Sequence, residues 1–242
     1  MQTESIHLST ADGSMRCYVA APDDQASTAV IVIQEAFGVN GHIEDVTRRV
    51  ADAGHFAIAP DLFHRANDGQ GAVVDYGDME AVFALMGGVT DDGILVDVDA
   101  VLAELDRRGF PADRVGIVGF CMGGRVTFLV SARRSLGAGV GFYGGAIVTD
   151  GFTPGMPKLL DEAPGLRTPW LGLFGDQDQM IPIEGVEQLR ALAAGATVDT
   201  DVVRYADADH GFHCNERPSY NADASADAWA RTLAWFDAHL AS

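Results

Sequence analysis

A cysteine flanked by glycines carries the clearest chemical signal in this sequence. Residues 119–124 read G-F-C-M-G-G, so Cys121 is the centre of a G-x-C-x-G motif, the thiol form of a nucleophile elbow. The motif lies between a strand-like apolar run and a helix-like segment, which places the cysteine on a sharp turn with strained backbone angles. Side chains at Gly119 and Gly123 would collide in such a turn. The helix N-terminus favours negative charge on the sulfur, and the N–H of Met122 is expected to face a developing oxyanion. The alternative is that Cys121 is a small buried hydrophobic residue.

Two later loops offer an acid and a base. Asp176 and Asp178 both follow the apolar run at 170–174; we favour Asp178, which ends a G-x-x-D and begins a D-x-x-x-P, and expect Asp176 to be a solvated turn residue. His210 precedes a glycine in the loop between the last predicted strand and the final helix; the alternative is a surface-loop histidine. Taken together, the three residues occur in the order nucleophile, acid and base, each in a loop that follows a predicted strand.

These residue types predict covalent catalysis by a cysteine. His210 would accept the thiol proton, or hold it in an ion pair, and later protonate the leaving group. Asp178 would fix the tautomer of His210 and stabilise its cation. Attack of the thiolate on an ester or lactone carbonyl would give a tetrahedral oxyanion and then a thioester, which water cleaves. An oxyanion hole is worth about 3 kcal/mol for each donor.

The elements that must position these residues alternate between strand and helix. The first 21 residues have an alternating pattern around the turn-like segment 11–14, which predicts a β-hairpin. Beyond the hairpin, we predict strands at 29–33, 56–59, 115–118, 140–143, 170–174 and 198–205 and helices at 42–53, 78–86, 91–108, 122–134, 184–194 and 223–240, with a polar loop over 64–78. This alternation indicates an α/β fold with a mostly parallel central sheet, helices on both faces and an N-terminal antiparallel hairpin. No convincing boundary divides residues 1–242, so a single domain is expected.

Composition restricts the function classes. The chain has 35 acidic and 16 basic residues and a net charge of -19, a field that repels nucleic acid. No apolar run is long enough to span a membrane, and no signal peptide is evident, so we expect a cytoplasmic protein. The three cysteines form no C-x-x-C pair, and no set of zinc ligands is assembled, so neither a metal nor another cofactor is expected. A small-molecule substrate and a monomer or small homo-oligomer are the expected partners.

The sequence resembles the dienelactone hydrolase (carboxymethylenebutenolidase-like) family of the α/β-hydrolase superfamily. The resemblance lies in residues 34–40 (Q-E-A-F-G-V-N), 60–63 (P-D-L-F) and 142–144 (F-Y-G), together with the Cys121 elbow and the loops of Asp178 and His210. It implies a Cys-His-Asp triad. It also implies that Glu35 lies beside the thiol and takes part in its activation, and that the N–H of Ala36 completes the oxyanion hole with that of Met122.

One departure from the family concerns substrate binding. The resemblance implies arginines that grip a substrate carboxylate, one of them four residues after the triad histidine, where this chain has Cys214. Arg65 and Arg217 are nearby in sequence and could substitute for these arginines, but we expect both on the surface. The sequence therefore predicts that dienelactone itself is not the natural substrate. Phe37 and Tyr143 follow strands on the catalytic side and are predicted to bind substrate, with core packing as the alternative. His64 and Arg65 begin the polar loop and could also reach the site.

Three functions remain open on the sequence. The favoured one is hydrolysis of a small ester or lactone. The second is thioester hydrolysis or acyl transfer by an enzyme of the same fold. The third is a non-catalytic protein that binds a small molecule in the same pocket.

Overall fold

A computed structural model describes residues 1–66, 71–151 and 153–240. The eight strands are β1 (Gln2–Thr10), β2 (Gly13–Ala21), β3 (Ala29–Ile33), β4 (Phe56–Pro60), β5 (Val115–Phe120), β6 (Ala138–Phe142), β7 (Trp170–Gly175) and β8 (Thr200–Tyr205). The six α-helices are α1 (Gly41–Asp52), α2 (Met79–Met86), α3 (Asp91–Arg107), α4 (Met122–Arg133), α5 (Ile183–Ala193) and α6 (Ala222–His239).

The strands form one sheet in the order β1-β2-β4-β3-β5-β6-β7-β8. β1 pairs antiparallel with β2, and β2 pairs antiparallel with β4, whereas the pairs from β4 to β8 are all parallel. Every residue of the five central strands β3 to β7 is buried, as expected for parallel strands covered on both faces. The predicted α/β fold, with its mostly parallel sheet and N-terminal hairpin, is confirmed.

Beyond the hairpin, the predicted ends of the helices and strands agree with the structure to within two residues. In the hairpin, Gly13 and Ser14, predicted to lie in the turn, pair with β1 as the first residues of β2. Gly13 has a φ of 129°, a conformation that glycine adopts without strain, so the turn between the strands is very tight. The loop predicted over 64–78 begins with a 3-10 turn at His64–Ala66, and residues 67–70 lie outside the described residues.

Helix α4 is buried in the interior of the fold. It follows β5 after a single residue, Cys121, and its residues 122–132 are all buried. Arg125 on this helix is buried too, and its guanidinium forms two hydrogen bonds with Asp91, of 2.6 and 3.1 Å. Because β5 and α4 are both enclosed, the turn between them has little freedom to move, which suits a residue that must be held in one orientation.

Candidate active site

Cys121 occupies the turn between β5 and α4 with strained backbone angles. Its φ is 55° and its ψ is -114°, in a region that side-chain-bearing residues rarely adopt. Its N–H donates a 3.0 Å hydrogen bond to the carbonyl oxygen of Phe142, at the end of the neighbouring strand. Cys121 is the N-cap residue of α4, and its side chain makes no capping bond. The half-buried thiol is therefore positioned at the positive end of the helix dipole without being used to satisfy it.

The glycines beside Cys121 allow its turn to close. A Cβ at Gly119 would overlap the carbonyl oxygen of Gly123, and a Cβ at Gly123 would overlap those of Ile33 and Gln34. In each case the obstacle is backbone of a central element, which cannot move aside as a flexible side chain could. The structure therefore confirms the prediction that side chains at Gly119 and Gly123 would collide in this turn.

His210 and Asp178 meet in the interior. The two side chains come from the loops after β8 and β7, and Nδ1 of His210 lies 2.7 Å from Oδ2 of Asp178. Both residues are buried, and the other oxygen of Asp178 accepts a hydrogen bond from the N–H of Met180. Asp176 instead accepts two hydrogen bonds from Arg204, so it is an ion-paired residue and not the solvated turn residue expected.

His210 lines the same cavity as the Cys121 thiol. Nε2 has no hydrogen-bond partner among the described residues. Burial alone would lower the pKa of His210, but the negative charge of Cys121 and the hydrogen bond with Asp178 oppose this and raise the pKa to about 10. The imidazole of His210 is therefore protonated at neutral pH.

Glu35 is a fully buried carboxyl group at the end of β3. Neither of its oxygens has a hydrogen-bond partner in the described part of the chain. Burial raises the pKa of Glu35, while the charges of Arg217 and His210 lower it. The closest cation is Arg217, whose Nη1 lies 3.6 Å from Oε1 of Glu35. Burial therefore favours the neutral form of this carboxyl group, and the two nearby cations oppose it.

The two backbone groups expected to form an oxyanion hole have free donors. No described residue accepts a hydrogen bond from the N–H of Ala36 or from that of Met122. Ala36 follows β3 and Met122 begins α4, and both residues line the same cavity as the Cys121 thiol. Unpaired donors of this kind are what an oxyanion requires.

A cavity of about 290 Å³ brings together most of the predicted site residues. It has the size of a small ligand pocket. Its walls are formed by Ala36, Phe37, Tyr76, Met79, Val82, Phe83, Met86, Cys121, Met122, Arg125, Gly145, Ala146, Thr149, Met156, Met180, His210 and Arg217. Phe37 therefore reaches the cavity. Tyr143 is not among its lining residues; it is fully buried, and its ring lies 5.1 Å from that of His210.

Of the two arginines that we expected on the surface, one lines the cavity and the other lies outside it. Arg217, expected on the surface, lines the cavity and lies over the rings of Phe37 and Tyr76 at 5.7 and 6.0 Å. Arg65 remains outside the site, where it pairs with Asp12 and Asp97. His64 is also bonded to Asp97, so it does not reach the cavity either. No local pattern distinguishes Arg217 from a surface arginine, because its placement depends on a series of turns after His210.

Two buried histidines pack against Phe120, next to the proposed nucleophile. His213 stacks on Phe120, the residue before the nucleophile, and its Nδ1 lies 2.9 Å from the Ser225 hydroxyl. His42 packs against the same phenylalanine, and its Nε2 has no partner among the described residues. Burial lowers the pKa of His42 to about 4 and that of His213 to about 3, so both are neutral at pH 7.

Across residues 1–66, 71–151 and 153–240, no three side chains of His, Cys, Asp or Glu are grouped so as to hold a metal ion. Over the same residues, no helix has the length and apolar character needed to cross a membrane.

Comparison with known proteins agrees with this geometry. The model of the dienelactone hydrolase family matches residues 15–240. A Yersinia pestis protein provisionally named carboxymethylenebutenolidase is 37% identical over 99% of this chain and 91% of its own. A Salmonella typhimurium protein of the same provisional name is 40% identical over 92% of this chain and 82% of its own. A crystal structure from Klebsiella pneumoniae, provisionally described as a dienelactone hydrolase, is 36% identical and covers 98% of both chains with a TM-score of 0.88. The chain belongs to the dienelactone hydrolase family.

Proposed function

We propose that this protein hydrolyses a small ester or lactone with Cys121 as nucleophile, His210 as proton carrier and Asp178 as the residue that orients His210. One observation carries the proposal. A cysteine in a strained turn shares a cavity with a histidine whose Nδ1 is bonded to a buried carboxylate and whose Nε2 is free of hydrogen bonds. A protein that only binds a small molecule has no use for this combination.

The reaction has two halves. The Cys121 thiolate attacks the carbonyl carbon, and the N–H groups of Ala36 and Met122 stabilise the oxyanion of the tetrahedral intermediate. When the intermediate collapses, the C–O bond of the ester breaks and imidazolium His210 protonates the leaving alkoxide. The acyl group is then a thioester on Cys121. A water molecule, deprotonated by neutral His210, attacks the thioester and releases the acid, and the sulfur leaves as a thiolate.

Glu35 is assigned an auxiliary role in this proposal. The family resemblance implies that this carboxyl group lies beside the thiol, and burial raises its pKa, which favours uptake of a proton. It is fully enclosed, and neither of its oxygens has a hydrogen-bond partner among the described residues. In the proposed role, Glu35 takes up the thiol proton when the Cys121 sulfur is not yet paired with an imidazolium.

Hydrolysis of p-nitrophenyl acetate tests the proposal. Cys121→Ala and His210→Ala are both expected to abolish the activity, whereas Cys17→Ala should retain it, because Cys17 is a buried thiol on β2 outside the cavity. Mass spectrometry of the quenched reaction should find the acetyl group on the peptide of Cys121. Cys121→Ser is expected to lose most of the activity, because a serine hydroxyl has a far higher pKa than a thiol. Undiminished turnover by Cys121→Ala would refute the assignment.

A further inference from the structure

Methionine is concentrated around the proposed nucleophile. The chain contains seven methionines, and five of them line the cavity: Met79, Met86, Met122, Met156 and Met180. Methionine side chains are flexible, polarisable and apolar, and they adapt to ligands of differing shape. A wall of this composition offers few hydrogen bonds and much apolar surface to a substrate.

Helix α2 supplies the largest single part of that wall. Met79, Val82, Phe83 and Met86 lie at helical spacing of i, i+3, i+4 and i+7, and all four line the cavity. Met79 is 46% exposed and Phe83 is 49% exposed, although both belong to the apolar face of the helix. Large apolar side chains left open to solvent at the edge of a pocket indicate a surface that a ligand covers.

The cations of the cavity lie beside carboxyl groups of the chain. Both terminal nitrogens of Arg125 bind the carboxylate of Asp91. Nη1 of Arg217 lies 3.6 Å from Oε1 of the buried Glu35, which is an ion-pair contact and not a hydrogen bond, and this nitrogen has no hydrogen-bond partner among the described residues. A substrate carboxylate that bound Arg217 would compete with Glu35 for this cation. The net charge of -19 also disfavours the approach of an anion.

We propose that the substrate is an uncharged ester or lactone with an apolar chain or ring, and that this apolar part binds against the α2 face, Met156 and Met180. The inference rests on the hydrolytic function proposed above and specifies its substrate class. Met79 and Phe83 then act as specificity-determining residues, because they contact the part of the substrate that does not react. Substrates that differ only in this part should be distinguished by the area they bury on α2.

A series of p-nitrophenyl esters from acetate to octanoate tests the apolar subsite. Each added methylene is expected to raise kcat/KM about fourfold until the cavity is filled. Met79→Ala and Phe83→Ala should flatten this dependence on chain length. Val73→Ala is the matched control: Val73 is 60% exposed but does not line the cavity, so its removal should leave the slope unchanged. A flat series in the unmodified protein, or a slope that both α2 variants preserve, would overturn the inference.

An isosteric pair tests the preference for an uncharged substrate. The 4-methylpentanoate and hemisuccinate esters of p-nitrophenol have acyl groups of the same shape, but only the second carries a carboxylate. We expect kcat/KM to be at least about tenfold higher for the uncharged ester. Equal or greater activity on the hemisuccinate would overturn the inference and assign Arg217 to the substrate carboxylate.

Binding to the Cys121→Ala variant separates this inference from the proposed chemistry. Calorimetry with 4-methylpentanamide and with succinamate compares the same two shapes without turnover. Preferential binding of the uncharged amide supports the subsite even if no ester is hydrolysed, in which case only the proposed reaction fails. Preferential binding of succinamate contradicts the subsite whatever the chemistry.

Discussion

Replacing Asp178 by asparagine should disable the proposed triad while preserving its shape. The His210 pKa of about 10, against an ordinary value of 6.5, corresponds to a preference of about 5 kcal/mol for the imidazolium. The negative charge of Cys121 and the hydrogen bond with Asp178 together produce this preference, and burial opposes it. If Asp178 supplies about half of it, losing its charge costs about 10²-fold in rate. The amide can also hold the ring in the wrong tautomer, which takes the expected loss in kcat towards about 10⁴-fold.

Asp176→Asn is the control, since it removes a carboxylate only two residues away. Asp176 binds Arg204 through two 2.7 Å hydrogen bonds, whereas it is Asp178 that binds His210. Its loss should cost about 1 kcal/mol of stability or less, because the ion pair is partly exposed. The kcat of Asp176→Asn should stay within about twofold of the parent. This pair of variants isolates the acid of the triad from a general effect on the loop.

The assay is the pre-steady-state release of ethanol from an ethyl ester, followed from pH 6 to pH 11, because ethoxide, unlike p-nitrophenolate, needs a proton to leave. In the parent, the first turnover should slow as the pH rises through about 10, where His210 loses the proton that it gives to the leaving group. In Asp178→Asn this decline should begin at a lower pH, because the carboxylate no longer supports the cation. The assignment is refuted if Asp176→Asn loses as much activity as Asp178→Asn. It is equally refuted if Asp178→Asn stays within tenfold of the parent with an unchanged alkaline limb.

Two further predictions concern stability. Lowering the pH from 7 to 5 should cost the parent about 2 kcal/mol of unfolding free energy relative to His42→Phe, measured by urea titration. The reason is that His42 gains a proton near pH 6.5 when unfolded but only near pH 4 when folded. An equal pH dependence of the two proteins would contradict this. Gly123→Ala should cost about 3 kcal/mol, or about 6–12 °C in Tm, since its Cβ meets the backbone of Ile33 and Gln34. The control Gly165→Ala, where a Cβ meets nothing within 4 Å, should change Tm little; similar losses in both would rule out the clash.

The parts of the site that could be predicted from sequence are those fixed by local geometry. The Cys121 elbow requires glycines at set positions because its turn brings backbone into contact with backbone, and such a requirement is legible in the sequence. The choice between Asp176 and Asp178 was less determined, since both follow the same strand. What separates them is a partner on another strand, Arg204 of β8, which no local pattern reveals.

The sequence of helix α2 has an apolar pattern whose role can be understood only from the fold. Its apolar residues have the spacing of an amphipathic helix, which by itself predicts packing against the core. Met79 and Phe83 remain about half exposed and Val82 is buried, yet all three line the cavity, which the spacing alone does not reveal. The five cavity methionines come from four separate segments, with Met79 and Met86 both on α2, so their convergence is a property of the tertiary structure.

The placement of Arg217 in the cavity depends on tertiary structure that the sequence does not show. It lies seven residues after His210, at no periodic spacing, and reaches the cavity because the chain turns back on itself. Cys214 donates to the carbonyl of Gly211, and Arg217 donates in turn to that of Cys214. Gly211 has a φ of 80°, and a Cβ there would overlap the Arg217 guanidinium. The glycine after the triad histidine therefore has two roles, because it turns the chain and leaves room for the arginine that faces Glu35. This dependence joins the proposed proton carrier, the buried carboxyl group and the cavity cation into one structural unit, so a side chain introduced at Gly211 would disturb all three.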